Sequence, residues 1–338
     1  MKLIIPMAGS GKRMRPHTLT VPKPLIPIAG RPMVQHLVED ICAMSVHKIE
    51  EIGFIIGVNF GKEAEENLLN IAKNAGAKGK IFYQEQALGT AHAALCAGPM
   101  LEGKIIIAFS DTLFRGQVTI DENKDGIIWV QKVADPKAFG VVKLDENHFV
   151  TDFIEKPAQF VSDLAIIGIY YLKDGAVLKK EMQRLVDNDL KEKGEYQLTN
   201  ALENMKQKGT RFTVAEVSEW LDCGNKEATL LTNKRMLETK PQANIPRSAE
   251  VKNAVLIQPC HIGENVKIIN SVVGPYVSIG AGTALNNSVV SDSIIQAGSS
   301  LKNAIVSCSM MGNNAHYEGR TMNINIGDYS ILKPEDGK

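Results

Sequence analysis

The chain has 338 residues, room for two domains, and its 44% hydrophobic and 22% charged content is ordinary for a globular protein that buries a large core. Lysine plus arginine (38) balances aspartate plus glutamate (38), which argues against a nucleic-acid partner and leaves room for a local basic pocket. The 5 cysteines are odd in number and lack a C-x-x-C pair, which excludes a disulfide framework or zinc knuckle; no apolar run reaches the roughly 18 residues of a membrane span, so a cytoplasmic protein without a membrane partner is expected.

The first two-thirds alternates short apolar runs with amphipathic stretches. Residues 3–5, 52–56, 81–83, 105–109 and 127–130 read as buried strands. Residues 33–44, 64–75 and 225–237 read as helices. Strand and helix in repetition predict an α/β fold: a Rossmann-like, doubly wound, mostly parallel sheet covered on both faces. Ligands of such sheets collect at the carboxyl ends of the strands.

Directly after the first strand stands Gly9-Ser10-Gly11-Lys12-Arg13-Met14-Arg15-Pro16. Two glycines allow a sharp turn that aims N–H groups at an anion, and three cations follow. It is not a Walker loop, because Pro6 and Arg13 occupy positions where that motif needs Gly and Ser or Thr. It is not a dinucleotide fingerprint either, because Met14 replaces the third glycine. Next, Lys23 lies between Pro22 and Pro24, either a rigidly positioned cation or incidental charge on a surface turn.

Further along, Gln84 closes a strand and Asp111 follows another, a carboxylate where ligands gather. Asp222, just before the helix over 225–237, fits a ligand or a helix cap. Glu155-Lys156 fits a ligand pair or a solvated surface pair.

Residues 240–246 break regular structure, which predicts domains over 1–239 and 251–338 joined by a linker over 240–250. Beyond it, Ile262, Ile268, Val273, Ile279, Leu285, Ile295, Leu301 and Val306 recur mostly every six residues, with slips to five. That period predicts a parallel β-helix in which aliphatic side chains stack coil on coil; a twisted antiparallel sheet would not hold it. The repeat fades after Met311, so the tail is expected to cap the solenoid.

Taken together, G-x-G-x-R-M-x-P-x-T over 9–18 and P-K-P-L-x-P-x-x-G-x-P-M over 22–33 resemble the signature of the sugar-1-phosphate nucleotidylyltransferase family. The resemblance covers residues 1 to about 235 and continues through Gln84-Glu85-Gln86-Ala87-Leu88-Gly89-Thr90, Ser110-Asp111, Phe139-Gly140, Glu155-Lys156-Pro157, Ile167-Gly168-Ile169-Tyr170, Glu195-Tyr196-Gln197-Leu198-Thr199-Asn200 and Leu221-Asp222. Two departures stand out: Lys12 and Asn225 replace the family's usual threonines.

The resemblance implies a GT-A-like nucleotidyltransferase fold followed by a small left-handed parallel β-helix. It implies transfer of a pyrimidine nucleotide, from UTP or dTTP, to a sugar 1-phosphate, with glucose 1-phosphate the commonest acceptor. Arg13 and Lys23 would be catalytic. Ala8, Gly9, Ser10, Gly11, Lys12, Gln84, Leu88, Gly89 and Thr90 would bind the nucleotide. Asp111, Gly140, Glu155, Lys156, Gly168 and Tyr170 would bind the sugar phosphate, and Asp111 with Asp222 would hold Mg²⁺. A guanylyl- or adenylyltransferase, an added acetyltransferase using His261 or His316, and a non-catalytic regulatory subunit are the competing readings. The complete charged set favours an enzyme. The flat coils of a β-helix predict assembly into a homo-oligomer.

Overall fold

The apolar run at the amino terminus becomes the centre of a nine-stranded sheet. In the computed structural model, which describes residues 1–116, 119–239 and 245–320, Lys2–Pro6 (β1) has Leu3, Ile4 and Ile5 fully buried. A strand covered on both faces needs apolar side chains on both, and this one has them. The short pair Pro27–Ile28 (β2) and Arg31–Pro32 (β3) turns the chain into helix Met33–Met44 (α1), whose bounds match the expected ones. Glu51–Gly57 (β4), helix Lys62–Asn74 (α2) and Lys78–Gln84 (β5) follow, then the short helix Thr90–Leu95 (α3) and Ile105–Ala108 (β6).

These strands lie in the order β6-β1-β4-β5, and every neighbouring pair is parallel. Beyond β6 this Rossmann-like sheet becomes mixed. There Thr112–Arg115 (β7), Gly126–Lys132 (β8), Gly140–Leu144 (β9), Val150–Glu155 (β10) and Leu164–Leu172 (β11) follow with no helix among the described residues between them. A parallel pair needs a long crossover, so β11 runs antiparallel to β6, β8 and β9, and β10 antiparallel to β9. Parallel pairing returns only at Phe212–Glu216 (β12) on β8, once helices Gly175–Asp187 (α4) and Leu198–Gln207 (α5) supply a crossover.

A separate two-stranded ladder pairs β7 with Glu219–Asp222 (β13), setting Asp222 opposite Thr112. Helix Lys226–Glu238 (α6) comes next. Its buried Asn233 accepts from the Ala29 N–H at 2.9 Å, and its Thr232 hydroxyl donates to the Asp222 carbonyl at 2.9 Å. The loop before α1 and the strand carrying Asp222 are thereby tied to one helix.

The chain divides into two compact units, Met1–Met236 and Leu237–Lys338. Of the expected linker, residues 240–244 lie outside the described residues, as does the tail over 321–338 that was expected to cap the solenoid.

The second unit is built from three parallel sheets of two- and three-residue strands, the architecture of a left-handed parallel β-helix. Strand partners on successive coils are 17 residues apart at first (Glu250 with Lys267, Lys267 with Ala284) and then 16 (Ala284 with Ser300, Ser300 with His316). This explains the slips from six to five: one coil of three sides holds fewer than three full hexapeptides. Ile262, Ile268, Val273, Ile279, Leu285, Val290, Ile295 and Leu301 fill the interior. One corner of the coil is Asn253, Asn270, Asn287 and Asn303 in succession, each at positive φ, the conformation asparagine tolerates best among residues with a side chain. The repeat also outlasts Met311, since His316–Glu318 adds a strand to the first sheet. No described helix is long and apolar enough to cross a membrane.

Candidate active site

The carboxyl ends of β1, β5 and β6 open into a cleft of about 430 Å³. Its walls are the loop after β1, the segment around Lys23, residues 84–93 beyond β5, and Phe109-Ser110-Asp111 beyond β6. Of the residues singled out from the sequence, Ala8, Gly9, Ser10, Gly11, Lys12, Arg13, Lys23, Gln84, Gly89, Thr90 and Asp111 all line it.

The loop is held in shape from outside. Gly11 has φ +58, and a Cβ there would lie 2.9 Å from the Thr18 methyl, so glycine is required by both backbone and space. The Thr18 hydroxyl donates to the Gly11 carbonyl at 2.9 Å, and Met14, 1% exposed, anchors the turn below. The N–H groups of residues 8–11 make no hydrogen bond to other described residues. Four unused donors on a turn flanked by Lys12 and Arg13 form an anion cradle.

Lys23 and Asp111 are 88 positions apart in the chain, yet the Lys23 Nζ donates to Asp111 Oδ2 at 2.7 Å. The Cys223 N–H bonds the Asp111 carbonyl at 3.1 Å, joining the turn before β7 to the end of β13. Asp222 therefore stands beside Asp111. Its carboxyl is pushed above the usual range, first by burial and second by the Asp111 charge, against the smaller pull of the Gly224 N–H, Lys23 and Arg13. Two facing carboxylates, one of them desolvated, fit a divalent cation. Among the described residues no group of three or more His, Cys, Asp or Glu could hold a metal. A cation here needs its remaining oxygen ligands from water or from a bound phosphate.

On the side expected to meet the base, Gln84 is 8% exposed, and its amide Nε2 lies 3.2 Å from the Gly89 carbonyl and 3.0 Å from His92 Nδ1. Gly89 has φ +116, and a Cβ would strike the Tyr196 backbone at 2.5 Å. Leu88 is absent from the cleft wall and packs on the core instead.

Of the residues expected on the sugar side, Asp111 lines the cleft, while Gly140, Glu155 and Lys156 form a group outside its lining. Glu155 Oε2 accepts from the Thr199 hydroxyl at 3.2 Å, Glu155 Oε1 pairs with Lys156 Nζ at 3.3 Å, and a Cβ on Gly140 would approach Glu155 Oε2 to 3.1 Å. Lys193, which carried no motif, donates to the backbone carbonyls of Glu155 (3.1 Å) and Lys156 (2.7 Å). Tyr170, expected at the sugar phosphate, stands apart from this group. It is 5% exposed and lies in the core, with burial raising its phenol well beyond its ordinary range. Gly168 likewise packs on Phe109, so Gly168 and Tyr170 support the cleft wall from behind.

The model of the nucleotidyl transferase family matches residues 2–239. The chain belongs to that family. Among its relatives are the bifunctional protein GlmU of Methanococcus maripaludis, 29% identical over 76% of this chain and 60% of that protein, and a glucose-1-phosphate thymidylyltransferase of Streptomyces griseus, 27% identical over 87% of both. The chain thus spans about 60% of the length of the Methanococcus relative. A solved UDP-glucose pyrophosphorylase in complex with UDP-glucose superposes with a TM-score of 0.58 at 22% identity, covering 70% of this chain and 98% of that one, which supports the fold. The matched nucleotidyl transferase segment contains every wall of the cleft.

Proposed function

We propose that this chain is a sugar-1-phosphate nucleotidylyltransferase that transfers a pyrimidine nucleotide from UTP or dTTP to a sugar 1-phosphate, glucose 1-phosphate first among them, and releases pyrophosphate. The observation that carries this reading is the cleft itself: a cradle of unused N–H groups, Arg13, Lys23 and Asp111 share one opening with Gln84 and Gly89, and Asp222, outside the lining, stands beside Asp111.

In the proposed reaction a phosphate oxygen of the sugar 1-phosphate attacks the α-phosphorus in line, and pyrophosphate departs on the opposite side. The nucleophile is already ionised at neutral pH, so no general base is needed. The obstacle is the approach of two polyanions, and catalysis reduces to positioning and charge stabilisation. The N–H groups of residues 8–11 hold the triphosphate. Arg13 stabilises the leaving pyrophosphate with paired donors. Lys23, whose Nζ donates to Asp111, contacts the α-phosphate. Lys156 neutralises the incoming sugar phosphate, and Glu155 accepts hydrogen bonds from sugar hydroxyls. Asp111 and Asp222 would hold Mg²⁺, which supplies Lewis-acid charge to phosphate oxygens when bound. The balance of chemistry supports a single active centre in the first domain, with the β-helix that follows serving assembly of a homo-oligomer.

The test is pyrophosphate release across four nucleotides and several sugar 1-phosphates, with and without Mg²⁺. The expected result is Mg²⁺-dependent release with UTP or dTTP and one hexose 1-phosphate. No release with any pair, or release that persists in a chelator, refutes the proposal.

A further inference from the structure

Gln84 carries an amide whose two ends look alike in shape but are opposite in hydrogen-bonding sense. Which end faces the cleft decides which base edge can pair with it. The surroundings fix that choice. The Gly89 carbonyl, an obligate acceptor 3.2 Å away, requires the near end to be the NH₂. His92 Nδ1, 3.0 Å from the same nitrogen, can then meet it only with a lone pair. So His92 is neutral with its proton on Nε2, in line with the burial that lowers its pKa. Both hydrogens of the Gln84 NH₂ are thereby committed. Only Oε1, an acceptor without a partner among the described residues, is left for a ligand.

We propose that His92 is a positioning residue that locks the Gln84 amide and so sets the choice between pyrimidines. This rests on the reading of Gln84 as the residue that meets the base. Uracil and thymine present an N–H at ring position 3, which an acceptor pairs. Cytosine presents a lone pair there, which an acceptor repels. The two classes have the same ring size, so shape alone does not separate them. The Gly89 N–H, which makes no backbone hydrogen bond, belongs to a residue lining the same cleft as Gln84 and is available for a carbonyl of uracil or thymine that cytosine lacks. His92 sits on the first turns of α3, within the segment that also carries Gly89, so the lock and the base-facing backbone move as one piece.

The Gly89 carbonyl is already shared with the Ala93 N–H at 3.0 Å, and its contact to Gln84 is the longer of the two. Removing His92 therefore leaves the amide on its weaker anchor and free to rotate.

The experiment compares kcat/KM for UTP, dTTP and CTP in the wild type, His92→Phe, His92→Asn and Gln84→Ala. The ratio of UTP to CTP is independent of how much of each preparation is folded. His92→Phe, which keeps bulk but removes the acceptor, is expected to lower that ratio about tenfold, the weight of one hydrogen bond. His92→Asn, whose Oδ1 can stand near the former Nδ1, is expected to restore it to within about threefold. Should Gln84→Ala lower the ratio while His92→Phe keeps the wild-type value, His92 has no positioning role and the proposal is overturned. Should Gln84→Ala itself keep the ratio, the reading of Gln84 falls, and the role of His92 with it.

Discussion

The loop after β1 and the corners of the β-helix are both turns built on glycine or asparagine, and they treat their backbone in opposite ways. At the β-helix corners N–H groups are used from coil to coil: Asn270 donates to the Lys252 carbonyl at 3.1 Å, Asn287 to Ile269 at 3.0 Å, and Asn303 to Asn286 at 3.1 Å. Side chains join in, with Asn253 donating to Asn270 and Asn287 to Asn303, each at 2.8 Å. The loop over residues 8–11 leaves its donors unpaired and surrounds them with cations. One turn satisfies its donors within the protein; the other leaves them open to solvent or to an anion. Clustered free donors next to Lys12 and Arg13 are the arrangement an anion would use, which is what the proposed function draws on.

That contrast can be broken first at the charges around the cradle. Lys23→Ala and Asp222→Asn are each expected to cut turnover by roughly 10²- to 10³-fold while the protein stays folded, the usual cost of one preorganised contact. Near-normal pyrophosphate release from either variant would remove that residue from the mechanism. Asp222→Asn should in addition raise the thermal midpoint at neutral pH. The folded carboxyl is shifted upward, so its stability contribution is present at low pH and lost as pH rises through its pKa; the amide escapes that loss. An unchanged or lower midpoint would mean the carboxylate is not penalised in the fold.

In the β-helix the same size of effect should appear in stability rather than chemistry. Ile279 is fully buried in the stacked interior, and Ile279→Ala is expected to cost about 2 to 5 kcal/mol in a denaturant titration. A loss well under 1 kcal/mol would show that the coils are not held by this stack.

A finer contrast lies within the loop. Gly11→Ala meets both positive φ and the Thr18 methyl, and is expected to cost about 1 to 2 kcal/mol. Gly9→Ala meets nothing within 4 Å and should leave thermal stability unchanged. Equal midpoints for the two variants would contradict the described loop geometry.

The smallest effect is expected at Asp40 on α1, away from the cradle. Burial and then the neighbouring Glu39 push its carboxyl up to about 6, against the pull of Arg31. Folded above its unfolded value, it contributes stability below the unfolded pKa that is lost as pH rises through about 6. Asp40→Asn should therefore gain about 1 kcal/mol at pH 8, after allowance for solvent screening, and close to nothing at pH 4. Thermal melts at the two pH values measure it, and a gain of equal size at both would be inconsistent with titration of Asp40.

The sequence showed some of this directly. The glycines and cations of 9–15 are adjacent in the chain, so the cradle could be read as a motif, and α1 followed from apolar spacing alone. The interior ladder of the β-helix was visible for the same reason: a periodic structure writes its period into the sequence. The antiparallel half of the sheet was not, because a buried strand has the same apolar run whichever way its neighbour points. Pairings across long separations were equally hidden. Nothing in the segments around Lys23 and Asp111 announces that they meet, and His92 belongs to no motif that would have drawn notice. The burial of Tyr170 was hidden too: the resemblance places it at the sugar phosphate, while its ring packs in the core.

The most direct measurement is a crystal structure with a non-hydrolysable nucleoside triphosphate and Mg²⁺. The account predicts phosphate oxygens about 2.7–3.2 Å from the N–H groups of residues 8–11, with the cation between Asp111 and Asp222. A triphosphate bound elsewhere, with those N–H groups facing only water, would contradict it.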